Sequence, residues 1–397
     1  MTEPTVARGF EVPASVDRIR RQAAMVGVIG LVALIGGAFV NRPQFFQSYL
    51  VAFIFWSGVS LGCLALLMVH HLSGGAWGLV IRRILEAAAK TLPLVALLFV
   101  PLIFGLEHVY EWAQPELVAK DPILLHKAPF LNTPFWVART LIYFLLWSGM
   151  AFLLTKWSSQ QDQGGAAGLD RRFARLSGPG LVIYGLTVSL AAIDWMMSVD
   201  PHWFSTIYGF VMVGGQGLSA LAFIIIVLFT LTKSEPMSSV VQSKHLHDLG
   251  KLLFAFVMLY AYFTFSQFLI IWSANLPEEI PWYIRRLSNG WQFVMFALVL
   301  LHFALPFAML LSADIKQNLR LLMPIALLLF VMRTVDVMFQ VSPQFHEGIY
   351  IGWIDVAALV GVGGVWVAAF CHYLRGRPIL PVNDPYLKEA LANHGSH

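Results

Sequence analysis

The chain has 397 residues, of which 58% are hydrophobic and 12% charged, whereas an average soluble domain carries roughly 45–50% apolar and ~25% charged residues. With a mean hydropathy of +0.71, this composition excludes a disordered chain and a soluble globular enzyme. A net charge of +4 from 26 Lys and Arg does not mark a nucleic-acid binder; in such a chain the information lies in where the basic residues sit.

The apolar residues gather in blocks of the length that crosses a bilayer, about 20 residues. In chain order the expected spans are 23–40, 46–70, 90–106, 135–156, 178–199, 206–232, 250–274, 289–312, 318–341 and 350–374. The first follows Arg18, Arg20 and Arg21 as a signal sequence would. However, Asn41-Arg42-Pro43 stands where a small-residue cleavage site belongs, so this block reads as a retained helix. Before the third span, Arg82, Arg83, Glu86 and Lys90 alternate with Leu79, Ile81, Ile84 and Leu85. Arg82 and Glu86 are four apart and can pair. The segment reads as a solvated amphipathic helix end with snorkelling arginines. The loop over about 107–134 has four prolines and no helical period, and is expected to be a structured cover or a docking surface.

Basic residues set the orientation. Nineteen Lys and Arg, from Arg8 to Lys388, fall on the side of the two termini and five on the other. The positive-inside bias therefore predicts cytoplasmic termini. The expected division is a tail at 1–22, a membrane domain at 23–374 and a second tail at 375–397.

One internal repeat is visible. Asp194-Trp-Met-Met-Ser-Val-Asp-Pro201 aligns with Asp336-Val-Met-Phe-Gln-Val-Ser-Pro343, sharing Asp, Met, Val and Pro at an offset of 142 residues and four spans. This predicts an all-α polytopic protein with two parallel four-helix bundles, 46–199 and 206–341, flanked by the first and last helices. Parallel repeats of this kind are related by an axis along the membrane normal.

Ionisable residues inside the membrane are costly, so each is a functional candidate. Asp194, Arg333, Asp336 and Asp355 lie toward the outer half, with Trp195, His202, Phe339 and Trp353 as neighbours that could line an apolar slot. Arg333 and Asp336 are three apart and form a natural ion pair. One reading has this pair and Asp355 satisfying each other between helices. The other has a protonatable cluster beside a quinol head or on a proton path. On the inner side Asp248 opens the seventh span ahead of Tyr260, Tyr262, Thr264, Ser266 and Gln267, a run able to hold water, and so is the best candidate for proton uptake. Glu86 is a further candidate. His302 is the single mid-depth histidine, either a hydrogen-bonded core residue or a relay, and lacks the partner that a bis-histidine haem needs. Cys63 and Cys371 form no C-x-x-C motif, so no metal, iron–sulfur or covalent haem site is expected.

Three stretches carry a resemblance to a known family. They are Ala192-Ile-Asp194-Trp-Met-Met-Ser-Val-Asp-Pro-His202-Trp-Phe-Ser-Thr-Ile-Tyr208-Gly, then His247-Asp248-Leu-Gly-Lys251 with Ser266-Gln267…Trp272-Ser-Ala-Asn275-Leu-Pro-Glu278-Glu279, and His71…Arg82-Arg83…Glu86…Thr91-Leu-Pro93. Together they resemble the ActF subunit of bacterial alternative complex III, one of the NrfD/PsrC-like membrane subunits. The resemblance covers about 70–290. It implies a multi-pass subunit in the bacterial cytoplasmic membrane, part of a quinol:cytochrome c or quinol:oxidase oxidoreductase. It also implies a paralogous NrfD-like partner, with haem c and iron–sulfur clusters on other subunits. Quinone or menaquinol binding, proton translocation and plain anchoring of the periplasmic subunits are all roles consistent with it. Asp194, His202, Asp248 and Glu86 fall inside the matched stretches; Arg333, Asp336, Asp355 and His302 rest on the physical reading. A secondary transporter is the alternative class, but the repeat is parallel and no paired mid-span breaks stand out.

Overall fold

The computed structural model describes residues 10–164, 168–384 and 387; Arg8 and Lys388, used above for orientation, lie outside them. Among the described residues there is no strand, and ten helices are long and apolar enough to cross a membrane. These are α1 (Ser15–Val40), α2 (Arg42–Ser73), α3 (Arg82–Ile103), α4 (Thr133–Asp162), α5 (Leu169–Val199), α6 (Tyr208–Leu231), α7 (Ser243–Ala274), α8 (Trp291–Leu310), α9 (Leu319–Gln344) and α10 (Trp353–Arg375). The protein is an all-α polytopic membrane protein.

Several helices start earlier than their apolar blocks. α3 begins at Arg82, α5 at Leu169 and α7 at Ser243. Hydropathy marks only the part of a helix that faces lipid or core. The hydrogen-bonded ladder continues into polar turns beyond it; no side chain caps the first N–H groups of α3 or α5, whereas α7 has such a cap. At α7 this cap is Gln242, whose side chain accepts from the backbone while His245 reaches back to the Gln242 N–H.

α2 and α6 form the centre and are buried along most of their length. α2 packs against α3, α5, α6 and α10; α6 packs against α5, α7 and α9. α8 packs on α9 and α7 at the edge. α1 and α10 lie against each other over glycines. A Cβ placed on Gly30 would stand 2.6 Å from the Cα of Gly361, so only glycine permits this approach. Both helices of the pair pack against α2, α10 more extensively than α1. The two ends of the chain meet, with Ile379 N–H donating to the Phe10 carbonyl at 2.8 Å. The face where they meet is called the terminal face below, and the opposite one the distal face.

The connection between α3 and α4 is built from short helical turns, among them Pro115–Val118 and Pro122–Lys127. Tyr110, Trp112, Leu124 and Leu131 are buried beneath it. Tyr110 Oη donates to the Trp195 carbonyl at 2.9 Å and Lys127 Nζ to the Pro201 carbonyl at 2.6 Å. It is a packed cover over the distal end of α5.

Candidate functional site: buried ion clusters at both ends of the bundles

The outer carboxylates occupy three separate environments. Asp194, wholly buried at the distal end of α5, accepts from Arg139 Nε at 2.9 Å and Nη2 at 2.6 Å, and from Tyr143 Oη at 2.9 Å. Arg139 and Tyr143 are four apart on α4 and therefore share a face. Arg139 Nη1 donates to the Phe130 carbonyl at 2.9 Å, and the guanidinium lies 3.9 Å and 4.3 Å from the ring centroids of Phe130 and Phe135. Trp136 on the same face donates to the Asp194 carbonyl at 2.8 Å. The paired Trp195 is buried and donates to Thr140. Arg139 lies within the 135–156 span and was not among the candidates above. Its i, i+4 relation to Tyr143, at the depth of Asp194, was the available signal.

Asp336, on α9, is held by Arg333 from its own helix and by Tyr260 Oη from α7. Gln340 Nε2 donates to the same carboxylate at 3.0 Å and to Tyr260 Oη at 3.2 Å. Arg333, Asp336, Gln340 and Tyr260 are all buried. His302 on α8 is buried beside them, its ring centroid 5.3 Å from that of Tyr260. His302 Nε2 and Gln340 Oε1 have no hydrogen-bond partner. The fully buried Arg286 clamps the end of α9 by donating to the Phe339 and Gln340 carbonyls at 3.1 Å and 2.6 Å. Phe339 packs against Trp291.

Asp355 does not join the Arg333–Asp336 pair, which corrects one of the two readings above. It starts α10, accepting from the Gly352 N–H at 2.8 Å, Ser48 Oγ at 2.6 Å and Gln44 Nε2 at 3.2 Å. An acid in the first turn is favoured by the helix dipole. The neighbouring Trp353 is exposed. His202 is exposed in the cover region and pairs with Asp121 at 2.6 Å. The residues grouped as quinone-proximal are therefore spread over distinct places.

The terminal face also departs from expectation. Arg82, Arg83 and Glu86 are not a solvated helix end; all three are 2–3% exposed. Glu86 accepts from Arg82 at 3.0 Å, Arg83 at 2.7 Å, Ser158 at 2.6 Å and Arg377 at 3.4 Å. Arg82 also binds Asp384 at 2.7 Å and Arg83 binds Asp162 at 2.5 Å. The end of α4 and the strap after α10 supply the cover, and neither is visible in the local sequence of 77–90. Asp248 is half-exposed and faces Lys251 at 3.7 Å. Of the polar run beyond it, only Tyr260 and Gln267 are buried, while Tyr262 faces outward. Asp248 therefore does not open a continuous polar track.

A crevice at the distal end of α7 was not foreseen. Phe204, Ser205, Thr206 and Ile207 form one wall, and Gln267, Ile270, Ile271 and Glu279 the other. Gln267 is buried, accepts from Ser205 Oγ at 2.9 Å and lies two helical turns, about 10 Å, from Tyr260. Among the described residues no group of three or more His, Cys, Asp or Glu is arranged to hold a metal ion, and Cys63 and Cys371 are buried thiols.

No protein-family model matches the chain, and no curated protein matches its sequence.

Proposed function

We propose that the chain is a membrane subunit of a quinol-oxidising respiratory complex in the bacterial cytoplasmic membrane, with cytoplasmic termini, and that the Asp336 cluster is where it handles protons. The observation that carries this reading is a buried carboxylate shared by Arg333, Tyr260 and Gln340 inside an apolar bundle. Burial without function is costly for such groups. The distal crevice gives the cluster a partner site. It is apolar at Ile270, Ile271 and Phe204 and polar at Gln267, Ser205 and Glu279, which suits an amphiphile whose head carries hydroxyl donors. Glu279 accepts such donors and repels an anionic head.

Quinol oxidation yields two protons and two electrons. The electrons would pass to partner subunits carrying haem c and iron–sulfur clusters, as the resemblance implies. This chain's task would be to hold the head at Gln267 and accept protons toward Tyr260 and Asp336. Arg333 pairs with that carboxylate and donates to Tyr260 Oη, which holds the three groups together. A second reading, an anchor in the same complex, is favoured at Asp194 alone, where every polar contact of the carboxylate is filled by Arg139 and Tyr143.

The test is purification in mild detergent followed by vesicle reconstitution. Haem- and iron–sulfur-containing partners should accompany the chain; an intact assembly without haem overturns the respiratory reading. Asp336→Asn should lower proton release per electron, and an unchanged ratio removes Asp336 from the proton route.

A further inference from the structure

α8 contains a π-helical turn, Leu298–Ala304, between the α-helical segments Trp291–Ala297 and Leu305–Leu310. It is the only π turn among the described residues. Such turns are rare, insert an extra residue and recur at functional sites. Here the surrounding residues Phe293, Phe296, Val299 and Leu300 are exposed on the outer face, while His302 is 5% exposed and turned into the bundle. α8 carries no other titratable group. The groups facing His302 are Tyr260 from α7 and Arg333 and Asp336 from α9.

We infer that His302 is the proton-exchange partner of the Tyr260–Asp336 pair, presented to it by the π turn. This rests on the reading that the Asp336 cluster handles protons. Asp336 Oδ2 already accepts from Arg333, Tyr260 and Gln340, so the donors of the cluster converge on that one oxygen. His302 Nε2 has no partner, and Gln340 Oε1, also buried, has none. Both flank Tyr260. A neutral imidazole offers one nitrogen lone pair, and protonation turns that nitrogen into a donor. A protonated Nε2 is an N–H donor in a cluster around Tyr260 that also holds the unpartnered acceptor Gln340 Oε1. In the transfer the O–H bond of a hydroxylic donor breaks, the donor keeps the electron pair, and an N–H bond forms on Nε2. The resulting imidazolium stands beside the Asp336 carboxylate, which offsets its charge.

The experiment compares His302→Gln, His302→Phe and Asp336→Asn in the intact complex. Co-purification of the partners checks assembly of each. Infrared pH-difference spectra, taken on ring-labelled histidine without added quinol, should contain an imidazole signal that disappears in both His302 variants and shifts in Asp336→Asn. Proton release in vesicles should fall by about 10²-fold in His302→Gln as well as in His302→Phe, as for loss of a general acid–base group. His302→Gln keeps a hydrogen-bonding side chain but cannot titrate, so wild-type release in that variant overturns the inference. Loss of release in Asp336→Asn with none in the His302 variants also overturns it and leaves the cluster reading intact. Unchanged release in all three removes both.

Discussion

Asp384→Ala tests whether the strap after α10 is held by charge pairing. Arg82 is 2% exposed and spends its guanidinium on Asp384, Glu86 and Ser158 at 2.7, 3.0 and 3.2 Å. The cluster balances Arg82, Arg83 and Arg377 against Glu86, Asp162 and Asp384. Removing Asp384 leaves three arginines against two acids, with the Arg82 charge still buried. Breaking a buried pair from one side costs about 3–5 kcal/mol. Arg82→Met keeps an apolar stem but removes the guanidinium that donates to Asp384 and Glu86, and should also destabilise. The double variant restores the charge balance, so it should be more stable than either single variant, with a coupling near the upper end of about 0.5–3 kcal/mol. The assay is apparent unfolding temperature in detergent at one fixed scan rate, since such unfolding is commonly irreversible. Limited proteolysis of the strap gives a local readout. Ile379 and Leu380, buried in the wild type, should become cleavable in the single variants first. Single variants indistinguishable from wild type, or a double variant losing the sum of both, would refute the reasoning.

Other consequences are local. Gly30→Leu forces a side chain into the Gly361 backbone and should cost about 1–3 kcal/mol as overpacking, read as a lower unfolding temperature; Gly36→Leu, with open space at its Cβ, should be near neutral. Asp121 lies outside the spans. Its slight burial would raise the carboxyl, but the hydrogen bonds from His202 and from the Ile123 and Leu124 backbone hold it below the ordinary carboxylate value. A depressed carboxylate stabilises above its unfolded pKa and loses that contribution as pH falls through its folded value. Hydrogen exchange in Pro122–Lys127 should therefore speed up below the usual carboxylate range, about pH 4, and Asp121→Asn should show the fast exchange at neutral pH.

The ten helices and the separation of the chain into apolar blocks were legible because bilayer thickness imposes a length on each block. Arg139 with Tyr143 was legible in principle, since an i, i+4 pair must share a face, but nothing local says which acid meets it. The burial of Arg82, Arg83 and Glu86 could not be read from residues 77–90. What excludes water there comes from Ser158, Asp162 and the strap at 377–384, up to 302 residues away. The π turn at His302 has no composition signature, because a single extra residue leaves the apolar run unchanged. The reading that joined Asp355 to the Arg333–Asp336 pair, one of two, rested on depth alone. The position of Asp355 in the first turn of α10, next to Gly352, points to a cap.

The repeat sets Asp194 and Asp336 at equivalent distal helix ends, yet their surroundings differ in kind. Asp194 receives a bidentate arginine from a neighbouring helix, a tyrosine from the same face, and a lid of Phe130 and Phe135 over the guanidinium. That arrangement fills both carboxylate oxygens and joins α4 to α5. Asp336 takes its arginine from its own helix, so the pair joins nothing by itself, and it has an unpartnered histidine and amide oxygen within its neighbourhood. The two halves of the molecule should therefore differ in proton release under the same change. Asp194→Asn strands Arg139 and should lower stability by about 3–5 kcal/mol, with recovery in Arg139→Met combined with Asp194→Leu. Asp336→Asn likewise strands the buried Arg333 and should also cost about 3–5 kcal/mol, but it alone should lower proton release. Unfolding temperature and proton release measured on both variants separate the cases. If Asp194→Asn loses proton release and a folded Asp336→Asn keeps it, the assignment of roles to the two repeats is reversed.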